Sequence, residues 1–421
     1  MDKILVHICC GVDSVWALRK LREDYPDAYI EGFFYDPNIH PEEEYELRWI
    51  ETKRVCNSLG INCTKGEYDL KNWFNAVKGY ENEPERGERC SICHDLRLEK
   101  TAQLAVEKGF NKFTTVLMMS PKKDFDVLKK IGEDIAEKYN LQFLAVDFRK
   151  NNGTQKMNQL AKEQQLYHQN YCGCIYGLFS QRKVNFQSGS FIPELVSFSK
   201  GRLAGSREEL LFIKQIRLFA EELGLKVEEQ QFRFLGWRVI SSRLQINKQD
   251  IKHNIYLYSD SIKGVLNDRV KSIIGNKIIL EKSDVEILIT EDNIDMEPRF
   301  TTNPIFILNK KDIQGINIEK LTMELTTEFI PSSKSQNLYI GDIYNASEII
   351  KFYSDTDFEG KNGYSLKEIN DTILKNKENI KEGKTAVIVF GANFFGKIGE
   401  NIFKHLSGQN SLLNPSDKVF C

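Results

Sequence analysis

A chain of 421 residues with 41% hydrophobic and 28% charged side chains has the length for two or three domains and the composition of an ordinary globular protein, which excludes a disordered or fibrous chain. Its formal net charge of -2 excludes a globally basic nucleic-acid binder, so a nucleic-acid partner must be held by a local patch. No apolar stretch is long enough for a bilayer, and the first apolar run is short, contains His7 and lacks a small-residue cleavage site. The expectation is therefore a cytoplasmic protein with no membrane partner, in which clustered cysteines serve as metal ligands rather than disulfides.

In chain order, the first strand pattern is ILVHICC (4–10), followed by the turn Gly11-Val12-Asp13-Ser14 and a helical pattern, VWALRKL. Further strands are predicted at 29–36 (YIEGFFYD), 60–65 (GINCTK), 112–119 (KFTTVLMM) and 141–148 (LQFLAVDF). Helices are predicted from Glu42 to Leu59, Ile92 to Lys108 and Asp124 to Tyr139. This rhythm predicts an α/β fold, a mostly parallel sheet with helices on both faces and right-handed crossovers. Beyond about residue 190 the pattern changes to a helix from Ser206 to Leu223 and the short strands FRFLGWRVI, NIYLYS, NKIILE and VEILIT. A boundary is placed near Phe198 to Gly201, giving a cysteine-bearing unit, 1–195, and a C-terminal α+β extension, 196–421, with room for two subdomains. The last strand-to-helix run, TAVIVFGANFFGKIGENIF, contains G-x-x-x-x-G-K at Gly391 to Lys397. Ile398 stands where the magnesium-holding hydroxyl of a phosphate loop belongs, so a plain packing unit is the competing reading.

Six of the nine cysteines fall into three groups, Cys9-Cys10, Cys90-x-x-Cys93 and Cys172-Gly173-Cys174, each in a loop or helix start after a strand. Cys56 and Cys63 read as small core residues, and Cys421 stands alone. Four thiolates suffice for a [4Fe-4S] cluster or a structural zinc; six thiols and an acid exceed either need. Neighbouring side chains on a strand point to opposite faces, so Cys9 and Cys10 are expected to diverge and serve two centres. Asp13 is an unusual donor for a closed thiolate site and a sensible one for an iron that binds oxygen.

The elements HICC, FFYDPNIHPEEEYELR, ERCSICHDLRLEKTA, FTTVLMMSP, VDFRK and AKEQQLYHQNYCGCIYG, in this order, resemble the QueH family of epoxyqueuosine reductases over residues 1 to about 185. The resemblance implies a two-electron deoxygenation of epoxyqueuosine to queuosine at the wobble position of tRNA. It also implies a [4Fe-4S] cluster, an additional mononuclear iron and an external electron donor. Cys9, Cys10, Asp13, Cys90, Cys93, Cys172 and Cys174 match the family's metal-binding positions, and many members carry Cys where Asp13 stands. Cys9, Cys10 and Asp13 are the expected catalytic set: the lone iron takes the substrate oxygen while the cluster supplies electrons. The run CCGVDS also resembles the SGGxDS loop of ATP pyrophosphatases, which implies a PP-loop/HUP-like fold. The two cysteines put side chains where that loop brings backbone N–H groups to phosphate. An ATP-dependent tRNA-modifying enzyme and a zinc-stapled binding protein are the alternatives.

Outside the cysteine groups, Asn38 and His40, in the loop Asp36-Pro37-Asn38-Ile39-His40-Pro41, are candidates for substrate contact or for orienting a ligand. Tyr167, His168 and Tyr171 are candidates for stacking on a base, or for the apolar shell of a cluster. Arg97 and Arg149 could hold phosphate or form structural ion pairs. Lys122, Lys123, Lys129, Lys130, Arg149, Lys150 and Lys156 are the candidates for a tRNA-binding rim.

Overall fold

The computed structural model describes residues 2–183, 195, 202, 206–233, 236–256, 264–291, 305–330, 334–354 and 364–391. The chain divides into two compact units, Met1–Phe198 with Lys214–Gly224, and Ser199–Ile213 with Leu225–Cys421.

In the first unit five parallel strands, β1 (Lys3–Ile8), β2 (Tyr29–Phe34), β3 (Asn62–Lys65), β4 (Lys112–Thr115) and β5 (Gln142–Phe143), lie in the order β3-β2-β1-β4-β5. Ile4, Leu5, Val6 and Ile8 of the central strand are all buried, which is why β1 reads as an unbroken apolar run rather than an alternating one. The helices are α1 (Gly11–Asp24), α2 (Glu42–Ser58), α3 (Leu70–Ala76), α4 (Glu88–Glu107), α5 (Phe125–Tyr139), α6 (Gly153–Glu163) and α7 (Ile175–Gln181). Helix α1 packs with α2 and α6, and α4 packs with α5, so that the sheet is covered on both faces. The chain leaves β1 towards β2 on one side and returns to β4 on the other. The carboxyl ends of β1 and β4 therefore flank the switch point at which open α/β sheets bind ligands.

Three boundaries differ from the sequence expectation. The run 112–119 is a strand only to Thr115, because the Thr115 hydroxyl accepts the Leu117 N–H at 3.1 Å and bends Val116–Met119 into a 3-10 turn. β5 pairs only with Lys112 and Phe113, and 144–148 leave the sheet where the Thr114 hydroxyl donates to the Leu144 carbonyl at 2.7 Å. Helix α4 begins at Glu88, not Ile92, with Gly87 before it and the Glu83 carboxylate accepting the Glu88 N–H at 3.2 Å; Cys90 thereby becomes helical. Cys56 and Cys63 lie in the core beside Gly32, where an added Cβ would stand 2.9 Å from the Cys63 sulfur.

The second unit is α+β. The helix α8 (Arg207–Glu222) contributes its first residues to this unit and its remainder to the other. The strands are β6 (Val227–Arg233), β7 (Gly236–Ile246), β8 (Gln249–Asp250), β9 (Asn254–Tyr256), β10 (Val265–Ile274), β11 (Lys277–Leu280), β12 (Glu286–Thr290), β13 (Ile305–Asn309), β14 (Lys320–Ile330), β15 (Lys334–Ile340), β16 (Glu348–Tyr353) and β17 (Thr385–Phe390). They form an eight-stranded sheet, β8-β7-β14-β10-β11-β12-β13-β9, and a four-stranded one, β16-β17-β15-β6. Leu244, Ile246, Ile278, Ile287, Phe306 and Leu321 are core residues of the first sheet. Of the G-x-x-x-x-G-K run, only Gly391 is among the described residues; 392–397, like Cys421, lie outside them. No helix among the described residues is long and apolar enough to cross a membrane.

Candidate metal centre

The strand β1 ends at Ile8, so the alternation that would send Cys9 and Cys10 apart stops before it reaches them. Cys10 is fully extended (φ -169°, ψ 161°) and caps α1, its sulfur accepting the Asp13 N–H at 3.4 Å. The two sulfurs stand 3.8 Å apart, and Cys9 Sγ lies 3.6 Å from Asp13 Oδ2. The expected divergence is thus corrected: Cys9, Cys10 and Asp13 converge, with their donor atoms all within 4.8 Å of one another. Two thiolates bound at about 2.3 Å to one tetrahedral ion would sit about 3.8 Å apart, so this pair has the spacing for a single metal. Gly11 makes the turn possible, since a Cβ there would meet the Glu51 carbonyl oxygen of α2 at 2.8 Å.

The other four thiols come from two places. Cys90 and Cys93 share one face of α4 by their three-residue spacing. Cys172 and Cys174 flank Gly173 just before α7. Cys93, Cys172 and Cys174 pack in one apolar cluster with Trp73, Val77 and Tyr176, and the Lys123 ammonium faces Cys90, Cys93 and Cys172 together. Three of these sulfurs accept N–H groups: Cys90 from the Arg86 backbone (3.3 Å), Cys93 from the Trp73 indole (3.3 Å) and Cys172 from the Cys174 backbone (3.4 Å). The Cys174 thiol, helped by Lys123, pulls Cys172 down to about 6, while Cys174 itself is pushed up. Among the described residues no three of these four sulfurs crowd as closely as Cys9, Cys10 and Asp13 do.

The segment around Cys172 is fixed from two sides. Arg48, buried on α2, donates to the Cys172 and Tyr171 carbonyls, each at 3.1 Å, and to Glu44 at 2.8 Å. The loop at 36–41 closes from the other side: His40 N–H donates to the Gly173 carbonyl at 2.9 Å, and the Tyr171 hydroxyl donates to the His40 carbonyl. Gly173 has φ +104°, and an added Cβ would meet Ile39 Cγ1 at 2.7 Å. Only glycine meets both conditions.

Around these thiols lie buried polar groups without protein partners: Asp36 Oδ2, Asn38 Oδ1, His40 Nε2, His94 Nδ1, Arg97 Nε, and Nε and Nη2 of Arg89. Buried polar atoms are rarely left unpaired, so orphans beside a set of soft donors fit a bound charged group. His7 is held neutral by burial, its pKa well below the ordinary value; its ring nitrogens contact the Thr115 hydroxyl at 2.8 Å and the Tyr35 carbonyl at 3.3 Å. Burial pushes the Asp36 carboxyl up to about 6 against the attraction of Arg97, with which it pairs. The donor set and its surroundings fit a thiolate-ligated metal group.

The remaining candidates are distributed unevenly. Tyr171 is buried with Arg48 over its ring, and the Tyr167 hydroxyl is engaged by Glu44 at 2.9 Å, so these rings hold the cysteine segment; His168 is exposed and faces Asp13. Arg149 is paired with Asp147 at 2.8 Å, Lys129 with Glu133, and Lys156 lies over the Trp16 ring. Arg97 serves Asp36 and faces Cys9 and Cys93. Sequence reasoning passed over Arg48, Arg89 and Trp73; the only local signal for Arg48 is its i,i+4 pairing with Glu44.

Fold and site together define a doubly wound α/β unit with a metal-competent thiol site at its switch point. The chain belongs to the QueH family of epoxyqueuosine reductases, a family of oxidoreductases whose description, Epoxyqueuosine reductase QueH, matches residues 4–180. It is 44% identical over 187 residues to the Helicobacter pylori epoxyqueuosine reductase QueH, a match covering 43% of this chain and 50% of that protein. With the Thermotoga maritima epoxyqueuosine reductase QueH it shares 38% identity over 186 residues, 44% of this chain and 94% of that one. The chain thus spans half the length of the first relative and nearly all of the second. Among solved structures it is similar to the U34-tRNA thiolase NcsA from Methanococcus maripaludis with its [4Fe-4S] cluster. That likeness has 15% identity and a TM-score of 0.31 over 43% of this chain and 63% of that one.

Proposed function

We propose that this protein reduces epoxyqueuosine to queuosine at the wobble position of tRNA, in the cytoplasm, with electrons from an external donor. Both C–O bonds of the epoxide break, a C=C bond forms and the oxygen leaves as water, consuming two electrons and two protons. One observation carries the reading: the segment matched to the epoxyqueuosine reductases is the one that brings two distinct donor groups to the switch point of the sheet.

In this reading Cys90, Cys93, Cys172 and Cys174 hold a [4Fe-4S] cluster, and Cys9, Cys10 and Asp13 hold a separate iron. The cluster is assigned to the four thiols because they supply its full set of thiolate ligands, three of them within one apolar pocket. When bound, these groups supply single-electron steps and an oxygen-binding position. The chain's own work is positional. Cys10 fixes the first turn of α1 by its sulfur contact, so Asp13 presents its carboxylate beside Cys9. Arg48 and the His40–Gly173 bond hold the Cys172 segment against α2 and the 36–41 loop, and the apolar packing of Trp73 and Tyr176 keeps water from Cys93 and Cys174. The ATP-dependent alternative is disfavoured by the same capping contact: the Cys10 sulfur already occupies an N–H that a phosphate loop would offer its ligand.

The test is anaerobic protein with a chemical reductant and epoxyqueuosine-containing tRNA, without ATP, followed by nucleoside analysis of the digested tRNA. Queuosine is the expected product. Conversion that appears only on adding ATP, or a colourless protein with stoichiometric zinc after anaerobic preparation, refutes the reading.

A further inference from the structure

Each of the three cysteine groups has an N–H donor on a sulfur. Cys10 takes the N–H of Asp13, Cys90 that of Arg86 and Cys172 that of Cys174, at 3.3–3.4 Å, and all three are backbone groups. Cys93 takes a side chain. The Trp73 indole N–H donates to its sulfur at 3.3 Å, and both residues are buried. Trp73 lies on α3, and its ring is bordered by His40 (5.2 Å), Phe74 (5.1 Å) and Tyr176 (5.9 Å, stacked). His40 is itself anchored, with Nδ1 on the Asn38 carbonyl at 2.8 Å and its backbone N–H on the Gly173 carbonyl at 2.9 Å. The indole is thus fixed by contacts that do not involve Cys93.

The acceptor is an unusual one. An indole N–H can only donate, and a buried donor without a good acceptor is costly. A thiol sulfur accepts weakly, so the pairing suits a free cysteine poorly and a negatively charged, metal-bound thiolate well. We propose that Trp73 is a positioning residue for electron transfer, its indole N–H raising the reduction potential of the metal group held by Cys93 by acting through that sulfur. The assignment rests on the iron-sulfur reading given above. An electron added to thiolate-ligated iron puts negative charge on the ligand sulfurs, and a hydrogen bond to such a sulfur is stronger in the reduced state. Low local dielectric enlarges the difference, and Trp73, Cys93, Cys174 and Tyr176 share one apolar cluster. A neutral donor achieves this without a buried cation. The competing role is packing alone, in which the ring excludes water and the N–H has no effect on the metal.

Two measurements on the full chain separate these roles. The first uses metal-free, reduced protein with isotope-labelled tryptophan, whose four indole N–H signals report on the four tryptophans by NMR. Cys93→Ala should move one signal, the one missing from Trp73→Phe, and leave the other three in place. If that signal stays where it was, the contact is absent and the proposal is overturned. The second is the midpoint potential of anaerobically loaded protein from a spectroscopic redox titration. Trp73→Phe should keep its metal content and become harder to reduce, by about threefold to tenfold in the one-electron equilibrium constant, tenfold being about 59 mV. The same shift is expected with benzothienylalanine at position 73, which keeps the bicyclic shape and lacks the N–H. An unchanged potential in that shape-conserving variant overturns the proposal and leaves packing as the role of Trp73. A colourless wild-type protein with stoichiometric zinc sinks the iron-sulfur reading itself and the potential with it, so the two failures are told apart by the metal.

Discussion

Gly173→Ala tests how the Cys172 segment is held. The substitution meets two costs. Its φ of +104° lies where side chains are strained, at about 1–3 kcal/mol. The new Cβ would also stand 2.7 Å from Ile39 Cγ1 and 3.1 Å from Ile39 Cα, an overpacking worth about 1–3 kcal/mol. Ile39 cannot simply withdraw, because its carbonyl accepts the Tyr68 hydroxyl and the next residue, His40, donates to the Gly173 carbonyl. The sum is roughly 2–6 kcal/mol. Gly109→Ala isolates the first cost: φ is +68°, nothing lies within 4 Å of the new Cβ, and only about 1 kcal/mol is expected. Thermal unfolding of metal-free protein, followed by tryptophan fluorescence, reports chiefly on the first unit, which holds three of the four tryptophans, Trp16, Trp49 and Trp73. At about 2–4 °C per kcal/mol, Gly173→Ala should lower the midpoint by roughly 4–24 °C and Gly109→Ala by roughly 2–4 °C, the former always the larger. Equal effects from the two substitutions would show that the 36–41 loop does not clamp this segment, and the reasoning would fail.

Arg48→Met should destabilise the metal-free protein by about 3–5 kcal/mol in urea, since it strips a buried partner from Glu44 and two carbonyls; Arg48→Lys should rescue little, because an ammonium cannot span all three acceptors. Asp13→Ala, after anaerobic loading, should retain the visible absorption of the four-thiol centre, lose about one iron by metal analysis and lose most turnover; full activity in this variant would remove Asp13 from the catalytic set. Stability of the metal-free protein should fall with acid. His7, His94 and His40 are kept neutral by burial, so below their ordinary pKa of 6.5 the unfolded chain takes up protons that the native state does not. Their combined slope approaches about 4 kcal/mol per pH unit. It is opposed by Asp36, raised to about 6, and Asp13, which take up protons in the native state. His94→Gln should flatten the slope by about 1.4 kcal/mol per pH unit in pH-dependent urea melts, and an unchanged slope would mean that His94 is charged when folded.

Much of the first unit is legible in the sequence because its cues are local. A central strand buried on both faces must read as a continuous apolar run, and ILVHI does. Cys90 and Cys93 announce one helix face by spacing alone. What escaped depends on where an element stops or on a partner far along the chain. Cys9 and Cys10 converge because β1 ends at Ile8, one residue before the alternation would have separated them. The end of β4 is set by a single hydroxyl, on Thr115. Arg48 looks like half of a surface i,i+4 pair; its other contacts lie at Tyr171 and Cys172, more than 120 residues away. Lys123 sits in a lysine pair that resembles solvated surface, and only the folded chain shows which of the two faces the thiols.

The donor groups also impose an order in time. Cys9, Cys10 and Asp13 are neighbours in the chain, but the four-thiol set joins the start of α4 to a segment some eighty residues later, held there by α2 and the 36–41 loop. A growing polypeptide that has not passed Cys174 owns the first set and only half of the second. Metal delivered to such a chain would find the compact site ready and the larger one lacking two of its thiols. Maturation of this protein therefore has a built-in checkpoint: the larger centre can be completed only after the sheet, α4 and the Cys172 segment have come together, so its loading reports that the first unit has folded.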